Sequence, residues 1–379
     1  MKVAFITRAT LHTVKGGDTI QVLQTAKQLV QLGFSVDVKL THEEINYAYY
    51  DLLHFFNITR PADILFHIQK AGKPFVISTI LIDYSDYDNH YRKGIPGMFM
   101  RFLSADHLEY VKAIARFVKG QDKLMTRPYL WMGQHKCIQE ILRRASVLFS
   151  NSPLETKRLV QRYDCRTHCI PVANGIDPEI FSYDKNIEKD ECLVLCVARI
   201  EGIKNQINLI KAMNNTRYTL LIIGSAAPNQ GSYYRECRQI AAPNIRFMEY
   251  IDQADLVLYY QRAKVHVLPS WFEACGLSSL EAAAMGCNLV ITAKGYTREY
   301  YENYAFYCEP GSPESIFNAV DEAAKADFPE ALREKVLSLY TWPQAAVRIA
   351  KAYYHLHKTH EYPYRNNRVK GYSQSLRWL

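Results

Sequence analysis

The chain has 379 residues, of which 48% are hydrophobic and 22% are charged, and its formal net charge is +8. Single hydrophobic cores stop growing near about 250 to 300 residues, so we expect two domains rather than one. The composition is that of a folded globular protein and excludes a disordered or low-complexity chain.

The N-terminal half alternates short apolar runs with helical patterns. The run from Val3 to Ile6 is too short for a signal peptide, and it is followed by Gly16-Gly17, a helix-like stretch from Thr19 to Gln31 and a second run at Ser35 to Val38. Strand, helix and strand in this order form the unit of a parallel sheet. Further strand-like runs occur at Leu52 to Phe55, Phe75 to Ser78 and Val147 to Ser150. We therefore predict a doubly wound α/β domain over residues 1–171.

Between about residues 83 and 145 this alternation stops, and turn residues, aromatics and basic helical stretches replace clear strands. Residues 134–145 have an apolar helical face, so we expect a helix that packs on its own domain rather than a membrane anchor. Residues 91–170 hold fifteen Lys or Arg and six Asp or Glu, a net charge of 15 − 6 = +9 that accounts for the whole excess of the chain. Such local charge attracts anionic lipid, nucleic acid or a diphosphate.

The second half repeats the alternation after a polar, turn-rich linker at residues 172–190. Its buried strand-like runs are Leu193 to Val197, Thr219 to Ile223, Val265 to Leu268 and Leu289 to Thr292. We predict a second α/β domain over residues 191–340. Residues 341–379 contain a last helix from Trp342 and a basic aromatic tail.

Two glutamates, Glu273 and Glu281, stand eight positions apart after the run that ends at Leu268. Gly276 and a predicted helix from Leu277 come between them, so the helix amides point at any ligand above the loop, a favourable place for phosphate. Glu281, about a turn into that helix, can reach back to the same ligand. Taken alone, the two carboxylates fit solvated helix-end charges equally well.

Two cations, Arg199 and Lys204, follow the strand-like run that ends at Val197. An arginine fork and a lysine point charge on one strand-to-helix loop suit a diphosphate. In open α/β sheets such loops lie at the carboxyl edge, where ligands bind. We therefore expect these cations and Glu273 to face one crevice.

In content and order these features resemble the family 4 glycosyltransferases of the GT-B fold, within the glycosyl transferases group 1. That family has two glutamates separated by seven residues, with an arginine and a lysine before them. The resemblance runs over nearly the whole chain. Further matching residues are Gly16-Gly17, the run from Pro171 to Asp177, Gly295 with Glu299, and Glu309-Pro310-Gly311.

The resemblance implies a fold and a set of roles. The fold would be α/β, with two Rossmann-like doubly wound domains facing a central cleft. Arg199 and Lys204 would hold the donor diphosphate, Glu273 the hydroxyls of the transferred sugar and Glu281 the donor ribose. The other implied residues are Gly276, Leu277, Ser278, Gly224, Tyr250 and Ile251 on the donor side, and Gly16, Gly17, Asp83 and His90 on the N-terminal side of the cleft.

The implied reaction moves a hexose from a UDP- or GDP-sugar to a glycan or a lipid-linked acceptor, with retention of anomeric configuration and without a metal or other cofactor. Acceptors of cell-surface polysaccharide or lipopolysaccharide assembly fit the basic, apolar-studded insertion, which we expect to dock on an anionic membrane surface. The location would then be cytoplasmic, peripheral on the inner face of the membrane. Cys165, His168 and Cys169 have no second ligand pair with matching spacing, so we predict no metal site.

Three positions depart from the family pattern. Cys275 stands where an aromatic is usual and Asn288 where a proline is usual. The histidine that many relatives carry after the fourth strand is absent near Ile80 to Ile82, and Asp83 or His90 would take over part of its contact.

Two other functions stay open on the sequence. One is a nucleotide-sugar epimerase of the same fold, and the other is an inactive relative that binds a membrane surface. Nucleic-acid binding is disfavoured, because no aromatic-basic motif of a known module and no zinc spacing is present.

Overall fold

The computed structural model describes residues 1–84, 87–88, 105–118, 120 and 126–361, with side chains to residue 358. His90, part of the basic window at 91–170 and the tail from residue 362 lie outside the described residues. Helices of the described part are all too short or too polar to cross a bilayer.

The N-terminal domain is built on a six-stranded sheet in which every neighbouring pair is parallel, in the order β2-β1-β3-β4-β5-β6. Its central strands are buried on both faces, as helical crossovers on both sides require, which explains their continuous apolar runs. The strands are β1 (Lys2–Thr7), β2 (Ser35–Leu40), β3 (Leu52–Phe56), β4 (Phe75–Ser78), β5 (Val147–Ser150) and β6 (Cys169–Pro171).

Helices cover both faces of this sheet. They are α1 (Gly17–Gln31), α2 (Pro61–Ala71), α3 (Ala105–Val118), α4 (Arg127–Arg144) and α5 (Pro153–Tyr163), with a 3-10 turn at Tyr47–Tyr49. Helix α1 begins before the predicted Thr19, because the backbone N–H of Gly16 donates to Thr19 Oγ1 at 3.2 Å and closes a cap. Helix α4 begins before the predicted 134–145 and is kinked at Gly133, whose φ is 71°.

The C-terminal domain repeats the plan with a second parallel sheet, in the order β12-β11-β10-β7-β8-β9. Its strands are β7 (Asp190–Val197), β8 (Thr219–Ile223), β9 (Ile245–Met248), β10 (Ala263–Leu268), β11 (Asn288–Thr292) and β12 (Phe306–Cys308). Its helices are α6 (Gln206–Met213), α7 (Gly231–Ile240), α8 (Gln253–Arg262), α9 (Leu277–Ala284), α10 (Thr297–Tyr301), α11 (Pro313–Lys325) and α12 (Glu330–Leu339), with a 3-10 turn at Gly202–Lys204. Two doubly wound α/β domains are therefore confirmed.

A last helix, α13 (Trp342–Glu361), returns to the N-terminal domain. Its buried Trp342, Ile349 and Tyr353 belong to the same apolar core as Val3 and Phe5 of β1. The two chain crossings between the domains are hydrogen-bonded to each other, since Ile176 N donates to Tyr340 O at 2.9 Å and Trp342 N donates to Ile176 O at 3.0 Å.

Each sheet changes its winding direction at one place, between β1 and β3 in the first and between β7 and β10 in the second. Ligands of doubly wound sheets bind beyond the carboxyl ends of the strands at such switch points. The loops there begin after Thr7, Val197 and Leu268. They carry residues that the sequence predicts to line the cleft, on the donor side after Val197 and Leu268 and on the N-terminal side after Thr7.

Candidate active site in the cleft between the domains

The loop after β7 holds Arg199 and Lys204 in place through Asn205. Asn205 is 1% exposed, and its φ of 61° is in the left-handed region. Its Nδ2 donates to Pro269 O at 3.0 Å and to Pro310 O at 2.7 Å. The Asn205 side-chain amide thus connects the 3-10 turn at Gly202–Lys204 to the loop after β10 and to the loop after β12.

The loop after β10 holds Glu273 by backbone pairing with residues 294–296. Glu273 N donates to Lys294 O at 3.2 Å, and Tyr296 N donates to Glu273 O at 3.0 Å. Gly295 makes this approach possible, because its φ is +102° and a Cβ there would lie 2.0 Å from Glu273 O. The Gly295 that the sequence singled out is therefore a support for Glu273.

Lys204 and Glu273 form an ion pair, with 2.6 Å between Nζ and Oε2. The same oxygen accepts from Ser270 Oγ at 3.0 Å. Both side chains are largely buried, being 20% and 11% exposed. Arg199 is more open and pairs with Glu201, Nη2 to Oε1 at 2.8 Å. Arg199 and Lys204, which the sequence predicts to bind the diphosphate, thus each form an ion pair with a carboxylate of their own domain.

Helix α9 starts directly beyond Glu273. Its cap residue Gly276 has a φ of +66°, and a Cβ there would meet Ser279 Oγ at 2.9 Å and Glu273 Cγ at 3.4 Å. Leu277 and Ser278 are half-buried in the first turn. The free amides of this turn therefore open beside Glu273, in the arrangement that favours an anionic ligand.

Glu281 lies one turn further along α9 and is only 5% exposed. Its Oε1 accepts from Gln253 Nε2 at 2.6 Å and its Oε2 from Tyr260 OH at 2.9 Å. Burial raises the pKa of Glu281 to about 7, although these two hydrogen bonds lower it. Glu281, which the sequence predicts to bind the ribose, is thus a buried carboxylate that accepts hydrogen bonds from two side chains of α8.

Gly16 and Gly17 form the opposite wall of the cleft. A Cβ on Gly16 would lie 3.4 Å from Arg199 Cζ, and one on Gly17 would lie 3.4 Å from Leu277 Cδ1. The neighbouring Asp18 accepts two hydrogen bonds from Arg8, at 2.6 and 3.0 Å. Burial raises the pKa of Asp18, but Arg8 and, less strongly, Arg199 lower it below its usual value.

The predicted base site lies at one end of the cleft. Gly224 directly follows β8 and lies against the backbone that follows β7. A Cβ on Gly224 would lie 2.0 Å from Ala198 O. Tyr250 is 52% exposed, and Ile251 beside it is half-buried. Lys15 of the N-terminal domain places its Nζ 5.2 Å from the centre of the Tyr250 ring. Both domains therefore meet at this end as well.

The loop after β4, where the family histidine is absent, is fastened by Glu155. This buried carboxylate accepts from Leu81 N at 2.8 Å, from Asn151 N at 2.9 Å and from Thr79 Oγ1. Ile80 has a φ of 47°, a strained value for a β-branched residue. Asp83 pairs with Arg158 at 3.5 Å. Asp83 and Leu81 line a small solvent-open hollow.

Sequence reasoning missed several residues that shape this site. They are Asn205, Gln253, Tyr260 and Tyr296. The last three act only through chain segments far away in sequence, so no local pattern identifies them. The asparagine after Lys204 at a helix start is the one readable signal, because asparagine tolerates the left-handed region there. Among the described residues, no three His, Cys, Asp or Glu side chains are grouped as a metal site would require.

The chain is similar to several known proteins. Residues 178–336 match the family described as "Glycosyl transferases group 1". D-inositol 3-phosphate glycosyltransferase of Corynebacterium aurimucosum is 25% identical, over 74% of this chain and 75% of the relative. Glycogen synthase of Mycobacterium tuberculosis is 28% identical, over 48% of this chain and 47% of the relative. Several relatives are thus matched over about half of their length.

Solved structures share the fold over nearly the whole chain. Sucrose-phosphate synthase from Thermosynechococcus elongatus superposes with a TM-score of 0.74 at 18% identity, covering 95% of this chain and 100% of that one. HepE of Anabaena, solved in complex with UDP, has a TM-score of 0.67 at 16% identity and covers 94% and 100%. The GT-B arrangement of two sheets around a cleft is confirmed.

Proposed function

We propose that the chain, whose residues 178–336 match the family described as "Glycosyl transferases group 1", transfers a hexose from a UDP- or GDP-sugar, with retention, to a glycan or lipid-linked acceptor. The observation that carries the proposal is the convergence of Arg199, Lys204 and Glu273 at the start of α9, with Gly16 across the cleft, where an added Cβ would lie 3.4 Å from Arg199 Cζ. Structures of HepE with UDP and with UDP-glucose share the fold.

The donor diphosphate would replace the carboxylates that now hold the two cations. Arg199 and Lys204 bind its charge together with the first amides of α9, and this charge grows as the nucleotide leaves. Glu273 Oε2 accepts both hydrogen bonds that the described residues give this carboxylate. Its Oε1 is left for a hydroxyl of the sugar. Glu281 receives the ribose hydroxyls, and Gly224, Tyr250 and Ile251 border the base.

Retention follows when the acceptor attacks on the face from which the nucleotide departs. The anomeric carbon loses its bond to the phosphate oxygen and gains one to the acceptor oxygen. The acceptor proton passes to the departing phosphate oxygen, so no protein base is required. Positioning and charge stabilisation supply the rate, and the two cations stand where other enzymes use a metal.

The acceptor would approach from the N-terminal domain through the hollow beside Leu81 and Asp83. Its polar walls include Asp106, which accepts from Arg162 Nη2 at 2.6 Å and from Tyr163 OH at 3.0 Å. Carboxylates and an arginine held in this way suit the hydroxyls of a glycan. Asp83 takes part of the contact that the family histidine would make.

The same domain would dock on an anionic membrane. Helices α3 and α4 leave apolar side chains in water, among them Trp131 at 90% and Val118 at 78% exposed. The exposed Arg127 begins α4 and lies about one helical turn before Trp131. Exposed aromatic and basic residues side by side are typical of surfaces that bind lipid head groups. A lipid-linked acceptor would then reach the hollow from the membrane.

Calorimetric titration with UDP, GDP, ADP and CMP, and then with their hexose derivatives, tests the proposal. We expect one diphosphate and its sugar to bind, and transfer to an added acceptor to persist in excess EDTA. The absence of binding by all of them would refute the proposal. Turnover of the nucleotide-sugar with no acceptor would favour an epimerase instead.

A further inference from the structure

Tyr296 bonds both the Glu273 backbone and the opposite domain. It is fully buried. Its N–H donates to Glu273 O at 3.0 Å, and its phenol OH donates to Leu81 O of the N-terminal domain at 3.0 Å. A single side chain therefore links the position of a donor-site carboxylate to the contact between domains.

Both ends of this link are firmly held. On the donor side, Glu273 makes a second backbone hydrogen bond to the same segment, from its N–H to Lys294 O at 3.2 Å. Residues 294–296 therefore hold Glu273 through both its N–H and its C=O. On the other side, Leu81 N donates to Glu155 Oε1 at 2.8 Å. Burial raises the pKa of Glu155, although several hydrogen bonds lower it. Neither end of the link can shift without breaking a buried hydrogen bond.

The Tyr296 ring is fixed by its neighbours as well. It packs edge-on against Phe272 with ring centres 5.4 Å apart, and the Arg158 guanidinium lies 5.5 Å from its centre. Arg158 also reaches Asp83 at 3.5 Å. The ring thus stands between the residue before Glu273 and the wall that we assign to the acceptor.

We infer that Tyr296 is a positioning residue, which places Glu273 for sugar transfer only when the domains are closed. This rests on the proposed function. Opening of the domains would break the bond to Leu81 and free residues 294–296, so Glu273 would lose its register with Lys204. Transfer would then be confined to the closed state, which protects the activated sugar from water.

Tyr300 provides a matched control on α10, the short helix that Tyr296 precedes. Its OH donates to Asn151 O of the N-terminal domain at 2.7 Å and it is equally buried, but it makes no hydrogen bond to Glu273. Tyr296→Phe and Tyr300→Phe therefore each remove one buried interdomain hydrogen bond. Only the first removes a bond that is connected to Glu273.

The test combines hydrogen exchange with kinetics. We expect Tyr296→Phe to speed exchange of the Glu273 amide about tenfold and to lower kcat about tenfold, with the Kd for UDP unchanged. Tyr300→Phe should alter neither exchange at Glu273 nor kcat. Exchange needs no substrate, so it is measured whether or not the donor has been identified.

The outcomes separate the two proposals. Wild-type exchange or wild-type kcat in Tyr296→Phe would overturn the inference, and so would equal changes in both variants, which would indicate general domain docking. If the wild-type protein transfers no sugar but the exchange pattern holds, the proposed function fails while the link from Tyr296 to Glu273 stands.

Discussion

Lys204 and Glu273 neutralise each other across 2.6 Å in the cleft, although one is assigned to the diphosphate of the donor and the other to its sugar. Removing one partner of a largely buried pair leaves the other charge without compensation. We expect Lys204→Ala to lower kcat/KM by about 10² to 10³, since the diphosphate loses a cation and Glu273 loses its anchor. Steady-state kinetics measures this, with the exposed Lys211→Ala of α6 as the control. Equal kinetics in both variants would remove Lys204 from the site.

Arg199 faces Gly16 across the cleft and is expected to act on the leaving phosphate. Arg199→Ala should reduce transfer by about 10² to 10³ while the protein stays folded, because the ion pair that Arg199 makes with Glu201 is half-exposed and adds little to stability. Activity and thermal unfolding are measured together, with the exposed Arg246→Ala as the control. Near-normal turnover would contradict the assignment.

Glu281 should make the stability of the ligand-free protein depend on pH. Folding raises its pKa from 4.5 to about 7, so between these values the folded protein keeps a proton that the unfolded chain releases. The free energy of unfolding therefore falls as pH rises through this window, by at most about 3 kcal/mol, and is flat above it.

Urea unfolding of wild-type protein and Glu281→Gln between pH 4.5 and 8 checks this. Other groups titrate alike in both proteins, so the difference between the two curves isolates Glu281. Parallel curves would show that its pKa is unchanged by folding.

We expect that no other residue can replace Gly295. The reason is the close contact that a Cβ would make with the Glu273 backbone, in addition to the positive φ of Gly295. Gly33 also has a positive φ, +88°, but a Cβ there meets nothing within 4 Å. Gly33→Ala should therefore lose about 1 kcal/mol of stability and keep full activity. Gly295→Ala should lose at least about 2 kcal/mol and reduce activity about a hundredfold, because its Cβ would displace Glu273. Chemical unfolding and steady-state kinetics of the two variants test this. Equal losses of stability and activity in Gly33→Ala and Gly295→Ala would show that a Cβ at Gly295 does not displace Glu273.

Membrane docking predicts that Trp131→Ala weakens binding to anionic liposomes about tenfold at low salt. The control is Leu258→Ala, an exposed apolar residue of the C-terminal domain at 65% exposure. Sedimentation with vesicles of phosphatidylglycerol and phosphatidylcholine measures both. If wild-type protein ignores such vesicles, the docking proposal fails.

The fold was readable because most strands are buried on both faces and so appear as apolar runs. The strands β9 and β12 escaped notice, since they have four and three residues at the sheet edges and are only partly buried. For the same topological reason, Arg199 and Glu273 could be placed in one crevice, as each follows the end of a central strand.

The sequence does not show which residues form hydrogen bonds with the side chains of the site. The hydrogen bonds of Glu281 depend on how α8 packs against α9, and the contact of Tyr296 reaches a residue 215 positions away. Such contacts are set by tertiary packing, which leaves no periodic trace in the sequence. The segment with His90 lies outside the described residues, so its predicted role in the cleft stays a prediction.

Helix α13 bears on the order in which the domains can mature on the ribosome. It is synthesised after the C-terminal domain, yet Trp342, Ile349 and Tyr353 complete the core around β1. The strands of the first domain emerge early and must wait with part of one apolar face uncovered, while residues 178–340 can already condense. The domain translated first is thus finished last, and a nascent chain halted before residue 342 presents exposed apolar surface to chaperones.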